Sequence, residues 1–470
     1  MSALSCALLL ARRRIWATTV AVAALIALVE PAVADSLNDA LASAYTDNPD
    51  LNAARAQLRG IDENVPQAYA GYRPTIGLEG DIAVNPVRVF TPSAFGAGII
   101  NPTLYPRGAA LTVTQPLFLG FRTENSVKQA KNAVRAGREQ LRNVEQETLL
   151  AAVSAFMGVI QDQVVVNLNG QNVKFLREQL RAAQDRLNVG EGTRTDVAQA
   201  EASLQSGISS YAAAGAALNS ALATYEQVIG HRPKTIGAAD HVERLFPKTK
   251  DAAVAEGLVN NPVIIADQFN IDVAEYNVKV LEGAKLPSVQ LTGELSHRDD
   301  NSAKGSWLDS ASLMVQGTIP IYEGGLDDSK VRQAKETLSQ ARVQLDSARA
   351  QVRQAVLSAW GQLEATKAQV EAAQAGVAAN ELALSGVIEE RKVGQRTTLN
   401  VLNAQQTLLN SQVAQVQAQH DMIVAAYTLL SALGGLDAVT LKLRVHLYDA
   451  AEHYELVKDK WFGLRTPDGR

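Results

Sequence analysis

The chain has 470 residues, a formal net charge of −5, 5% aromatic residues and one cysteine. Apolar residues this poor in aromatics, arranged in stripes, fit an elongated chain better than three globular domains, and no Lys/Arg cluster marks a helix face for nucleic acid. The six histidines, at 231, 241, 297, 420, 446 and 453, lack metal-ligand spacing, and Gly190-Glu191-Gly192 lacks the third glycine and the preceding strand of a phosphate loop, so no catalytic, metal or cofactor site is read.

At the N-terminus, Arg12, Arg13 and Arg14 precede an apolar run from Ile15 to Val29, followed by Ala32-Val33-Ala34. This is the pattern of a secretory signal peptide, with cleavage predicted after Ala34. The run is short for a bilayer span, and no later stretch has eighteen consecutive apolar residues. Cys6 leaves with the leader, so the mature chain has neither a thiol nor a lipid-bearing N-terminal cysteine.

A helix is predicted over about 37–71, with a kink at Pro66, and a second over about 253–285, where Lys279 stands in the matching place. After the first helix the period changes to two. Ile76, Leu78, Ile82 and Val84 alternate with polar residues, as do Leu111 and Val113; the second half repeats this at Val289, Leu291 and Leu295 and at Leu313, Val315, Ile319 and Ile321. Each half offers two strands of about ten residues, apolar on one face, which suits either a transmembrane β-barrel or half-buried hairpins of a soluble domain. Two isolated hairpins form no stable sheet core, so they are completed by each other or by other subunits.

Each pair of strands leads into a long helical hairpin. From Leu326 to Gly434 the chain has no proline, and the one interruption is Val393-Gly394-Gln395-Arg396-Thr397. Val331, Ala334, Leu338, Ala341, Leu345, Ala348, Val352, Ala355 and Ala359 recur at spacings of three and four, a narrow seam rich in alanine that lets helix axes approach closely. A helix over 326–391 is roughly 100 Å long at about 1.5 Å per residue, and the return arm is about half that.

The whole unit occurs twice. A shift of 204 residues superposes Pro116, Phe118 and Gly120 on Pro320, Tyr322 and Gly324, Val189-Gly190 on Val393-Gly394, Thr193 on Thr397, and Gly230 on Gly434. Upstream, a shift of 213 pairs Asn48-Pro49 with Asn261-Pro262, so the first half has nine extra residues between Pro74 and Pro116. The organisation read from this is a signal peptide at 1–34, a first repeat at 35–247, a second at 248–436, and a tail at 437–470. Two repeats give four helical columns and four strands, each helix with one apolar stripe, and a ring of several chains is the natural way to bury those stripes.

The cleaved leader, the paired Asn-Pro, the Ile319-Pro320-Ile321-Tyr322-Glu323-Gly324-Gly325 strand end, Gln333-Ala334 and Val-Gly-x-x-Thr at both hairpin turns resemble the TolC family of outer-membrane channels over nearly all of 35–436. The resemblance implies a mainly α fold with a β-barrel part: a homotrimer with a twelve-stranded barrel, four strands per chain, continued by a periplasmic α-helical barrel. It also implies location in the outer membrane, in contact with its lipid. The expected role is a passive exit duct for type I protein secretion or multidrug efflux, working with a periplasmic adaptor and an inner-membrane ABC or RND pump. Lack of a lipidated cysteine leans toward the secretion branch.

In the family the hairpin tips contact the adaptor, which points here to Val189, Gly190, Thr193, Val393, Gly394 and Thr397. Polar links that hold the periplasmic entrance shut fall on Thr195, Asp196 and Arg396. Where the TolC pattern has two acidic rings and a gate tyrosine, this chain has Asn400, Asn403 and Arg391. Read without the resemblance, the tips are simple helix-hairpin turns, and the chain fits a structural coiled-coil protein of the periplasm with small β caps.

Overall fold

A computed structural model describes residues 35–91, 98–233, 237, 242–467 and 469. The leader, its cleavage point and His241 lie outside the described residues. The chain divides into two compact units, one of residues up to 47, 151–242 and 367–424, the other of 48–150, 243–366 and 425–470.

The helices that precede the strands are interrupted where the sequence suggested continuity. In place of one helix over 37–71 there are α1 (Leu37–Asp47), α2 (Pro49–Asp62) and α3 (Asn64–Tyr69). The segment predicted at 253–285 is likewise two helices, α6 (Lys250–Asn260) and α7 (Pro262–Gly283). Each Asn-Pro pair is the boundary. Proline pushes the preceding residue out of the helical region, and both Asn48 and Asn261 have ψ of 124°. The same asparagines then cap the next helix: Asn48 Oδ1 accepts the N–H groups of Asp50 (2.9 Å) and Leu51 (3.1 Å), and Asn261 Oδ1 that of Val263 (3.0 Å). The kink expected at Pro66 is present as the break between α2 and α3, because Pro66 has no N–H for the carbonyl of Asp62. With Lys279 in the matching place, α7 is unbroken.

The two hairpins complete each other. Strands β1 (Thr75–Ile82), β6 (Arg107–Leu119), β7 (Ser288–Asp299) and β8 (Trp307–Thr318) form one antiparallel sheet in the order β1-β6-β7-β8. The nine extra residues extend the first hairpin as two short ladders, β2 (Asn85–Pro86) with β5 (Thr103–Leu104) and β3 (Val89–Thr91) with β4 (Gly98–Ile100). Ile76 stands opposite Val113, Leu78 opposite Leu111, Leu111 opposite Leu295, and Leu291 opposite Val315, so the apolar residues of all four strands share one face. That face is uncovered: Ile76, Leu78, Ile82 and Leu313 are between 71% and 81% exposed. The other face carries Glu79, Thr112 and Glu294 and an Asp81–Arg298 ion pair at 3.2 Å. All four strands meet their helices at the same sheet end, marked by Thr75, Leu119, Ser288 and Thr318.

Two details of the strands differ from expectation. β1 ends at Ile82, before Val84, and β8 ends at Thr318, so Ile319 and Ile321 lie beyond it. Pro320, which has no N–H for a ladder, follows directly. Its counterpart Pro116 stays within β6 at the cost of a register shift between Pro116 and Phe118, a bulge that puts Phe118 opposite Val289 on the apolar face.

The long arms are α4 (Arg122–Asn188) and α8 (Leu326–Lys392), both of 67 residues, and the return arms are α5 (Arg194–Ile229) and α9 (Thr398–Ala432), of 36 and 35. Most of the predicted α8 seam is buried, but Ala355 is exposed and Val356 is buried in its place. From Val352 the buried positions run 356, 359, 363 and 366, alternating spacings of four and three that keep the seven-residue repeat, with the position next to the predicted one buried in each heptad. Although no stretch of α4 has eighteen consecutive apolar residues, the helix is long and apolar enough by composition to cross a membrane. Part of this apolar stretch is buried within the protein, with Leu149, Ala152, Val153 and Phe156 inaccessible to solvent.

The tail is packed onto the first repeat. Glu145 accepts the Ala438 N–H at 2.8 Å, His453 Nδ1 lies 3.1 Å from the buried carboxyl of Asp62, and Tyr454 joins Val65, Ala130 and Val134 in a core cluster. Its helix, α10, spans Glu452–Val457.

Gly434 and Gly230 end the return arms at φ of 82° and 97°. A Cβ at Gly434 would lie 2.5 Å from the Asn260 carbonyl oxygen, whereas one at Gly230 would lie 3.3 Å from the Asp47 side chain. Both alanine variants lose about 1–2 kcal/mol to the left-handed backbone; Gly434→Ala adds a backbone collision. It is therefore expected to lower the thermal midpoint of the detergent-solubilised protein clearly more than Gly230→Ala, and equal losses would show that the Asn260 backbone yields.

Candidate gate and docking tips

The turn that joins α4 to α5 is built from a helix stop and a helix start. The stop is a Schellman motif: the Gly190 N–H donates to Leu187 O (3.1 Å) and the Glu191 N–H to Arg186 O (2.9 Å), with Gly190 at φ 82°. The turn from α8 to α9 repeats it, Gly394 donating to Arg391 O (3.0 Å) and Gln395 to Glu390 O (2.9 Å), with Gly394 at φ 79°. A side chain at either glycine would be strained, which is why Val-Gly recurs. Val189 and Val393, next to these glycines, are exposed at the surface of the turns.

The start is a capping box. Thr193 Oγ1 accepts the Asp196 N–H (3.1 Å), while the Asp196 carboxylate accepts the Thr193 N–H (3.1 Å) and hydroxyl (2.6 Å). In the second tip the same bonds join Thr397 and Asn400: Asn400 Oδ1 accepts the Thr397 N–H (3.0 Å) and hydroxyl (2.8 Å). Asn400 is thus the neutral counterpart of Asp196, 204 residues on. The hydroxyl of Thr193 holds the Asp196 carboxyl below the ordinary carboxylate value, helped by the Thr193 backbone, the Thr398 side chain and the charge of Arg186.

Both hairpins meet in one apolar cluster: Val173, Leu176 and Ala183 from α4, Ala200 and Leu204 from α5, and Leu402 from α9. Polar links join them around it. The Thr398 side chain at the start of α9 lies near enough to Asp196 to help lower its value, and Arg391 Nη1 donates to Gln179 Oε1 of α4 at 2.7 Å. Burial and the neighbouring Arg186 make the Arg391 guanidinium easier to deprotonate than a free one. Arg396 bonds Glu390 at 2.7 Å, both partners about half exposed. Thr195 and Asn403 are exposed.

The structure therefore brings Asp196 to Thr398 and Arg391 to Gln179, but within one chain it pairs Arg396 with Glu390 and not with Asp196. Glu390, Arg186, Gln179 and Thr398 were missed in the sequence. One signal was available: a shift of 204 places Arg186 on Glu390, a reversal of charge three residues before the shared Val-Gly.

The two capping boxes differ in one titrating group. Because the Asp196 value is depressed in the folded tip, its contribution is present above the ordinary value of 3.8 and is lost as pH falls below it. Hydrogen-exchange protection over 193–197 is expected to hold between neutral pH and about 5 and to fall below about 4, with no such fall attributable to the Thr397–Asn400 box. Asp196→Ala should remove about 1 kcal/mol of capping, near five-fold in local protection; unchanged protection would mean that the box does not hold the tip.

The family model for "Outer membrane efflux protein" matches residues 40–231 and 253–435. The outer membrane efflux protein BepC of Brucella suis is 45% identical over 94% of this chain and 94% of its own length. The outer membrane protein TolC of Escherichia coli is 24% identical over 86% of this chain and 83% of its own. Among solved structures, the CmeC outer membrane channel of Campylobacter jejuni superposes with a TM-score of 0.75 at 17% identity, over 90% of this chain and 89% of that one. The mainly helical fold with a four-stranded β part is the fold of these channels, and the reading as a structural rod of the periplasm is not favoured. The family consists of channel proteins. On the family match and these relatives, the chain belongs to the outer membrane efflux protein family and is an export duct of the cell outer membrane with a periplasmic helical extension.

Proposed function

We propose that three copies of this chain form the exit duct of a tripartite export system, passive and without a catalytic step of its own, and that the two helical tips of each copy are both its docking points and its gate. In this reading the mature protein begins after residue 34 and works as two tandem repeats, 35–247 and 248–436, braced by the tail. The sheets of three chains close into a twelve-stranded barrel in the membrane, the tips receive a periplasmic adaptor, and an inner-membrane ABC or RND pump supplies the energy. The observation that carries the reading is the sheet itself: four strands with an uncovered apolar face and two unpaired edges require both lipid and further strands.

The tip contacts suit a gate. An exposed ion pair such as Arg396–Glu390 contributes about 0–1 kcal/mol, so a docking partner that offers other bonds can release it. Val189 and Val393 give that partner two apolar contacts beside backbone held open by glycine. Thr195, Asp196, Arg391 and Arg396 hold the closed state through directional polar bonds. Asn400 and Asn403 carry no charge, so the constriction does not concentrate cations as an acidic ring would.

Small-molecule efflux is the favoured cargo, since the relative at 45% identity is named for efflux. A deletion strain should become sensitive to lipophilic drugs with its secreted proteins unchanged; the reverse pattern would assign protein secretion. For the gate, planar-bilayer recordings of the mature protein should show a small conductance that rises several-fold in Arg396→Ser and in Asp196→Ala. Wild-type conductance in both variants would remove these residues from the gate.

A further inference from the structure

The tail after α10 carries three large apolar side chains that the protein leaves largely uncovered. After α10 the chain closes a short loop in which the Lys460 ammonium donates to the Arg465 carbonyl at 2.5 Å. The loop presents Trp461, Phe462, which is 90% exposed, and Leu464, which is fully exposed. Exposing such a group of apolar side chains to water is unfavourable, and it marks a surface that something apolar receives.

Its location says what that is. Arg73, two residues before β1, donates from Nη1 to the Lys460 carbonyl at 2.7 Å, and its guanidinium lies 4.7 Å from the centre of the Trp461 ring. The loop is thereby tied to the sheet end where the helices attach, the periplasmic rim of a barrel. Aromatic residues already gather at that rim. Tyr72 is half exposed, Phe118 and Phe121 meet edge to face at 5.1 Å, and Tyr322 is exposed. Trp and Tyr concentrate at the level of lipid headgroups, where an apolar ring and a polar edge are both satisfied. Lys460 and Arg465 border the loop beside Asp459, while Lys458 is already paired with Glu455; the two remaining cations suit anionic headgroups.

We propose that the Lys460–Arg465 loop is an interfacial anchor: Trp461, Phe462 and Leu464 enter the periplasmic leaflet of the outer membrane, and the flanking cations meet anionic phospholipid headgroups. The inference rests on the barrel reading above, and Arg73 is the strut that holds the anchor to the barrel.

Residues after 34 contain no cysteine, so single cysteines can be placed and labelled with an environment-sensitive fluorophore. Phe462→Cys, Leu313→Cys on the apolar sheet face and Gln395→Cys on a tip are reconstituted as the full mature protein in vesicles of phosphatidylethanolamine and phosphatidylglycerol. Lipids spin-labelled near the headgroup should quench position 462 to within a factor of about two of position 313, leave 395 bright, and leave 462 shielded from aqueous iodide. Quenching of 462 by iodide to the level of 395 overturns the anchor. Shielding from iodide without lipid quenching also overturns it, since a protein surface, a second copy or a partner, would then cover the loop. Loss of lipid quenching at 313 as well would refute the barrel reading itself, a result distinct from failure of the anchor alone.

Discussion

Unpaired main-chain groups cannot be left in hydrocarbon, and the four-stranded sheet has two rows of them. The outer edges of β1 and β8 present N–H and C=O groups beside a face of leucine, isoleucine and valine that water does not favour. A single chain has no further strands with which to satisfy these edges among its described residues. Much else in the sequence follows from bringing copies together. The apolar stripes of the long helices are narrow and rich in small residues, so they suit close neighbours and would be a poor core for a monomer. The polar sheet face, with Glu79, Glu294 and the Asp81–Arg298 pair, is then free to line water.

Local chemistry fixes where each helix begins and ends, and it does so twice. Asn-Pro closes one helix and caps the next at 48–49 and at 261–262. A Schellman glycine ends the long arm, a threonine starts the return arm, and a left-handed glycine ends it. Because these devices recur at constant offsets, the departures between repeats stand out as places where the two halves do different work. Asp196 faces Asn400 across the repeat, Arg186 faces Glu390, and Pro66 faces Lys279. The first two lie at the tips, where an asymmetric distribution of charge gives adjacent helix ends different partners.

The long arms and their turns were legible in the sequence because a proline-free helical period bounded by Val-Gly has few alternatives. The repeat was legible for the same reason. What was misread has a physical cause in each case. Asn48-Pro49 and Asn261-Pro262 mark the repeat in the sequence, but an asparagine before a proline is also a helix boundary with its own cap. Ile319 and Ile321 kept the alternation of β8, but alternation is blind to the missing N–H of Pro320. The seam of α8 passes from Ala355 to Val356 without leaving the heptad, since the larger side chain beside the predicted position is the one that is buried. The tip contacts of Glu390, Gln179 and Thr398 join residues far apart in the chain, and no local pattern encodes them. The tail was silent as sequence because its role lies in contacts such as Asp62–His453 and Arg73–Lys460, which depend on the fold already being in place.

The central claim is that copies of this chain close one another's sheet edges, and the most direct measurement is cysteine cross-linking between β1 and β8 in native outer membranes. With one cysteine fixed at Gly77 on β1 and a second moved along residues 311–317 of β8, oxidation should give disulfide-linked species in one register, with a ladder that stops at three chains. No intermolecular bond at any register, or a ladder that continues past three, would contradict the closed trimeric barrel on which this account rests.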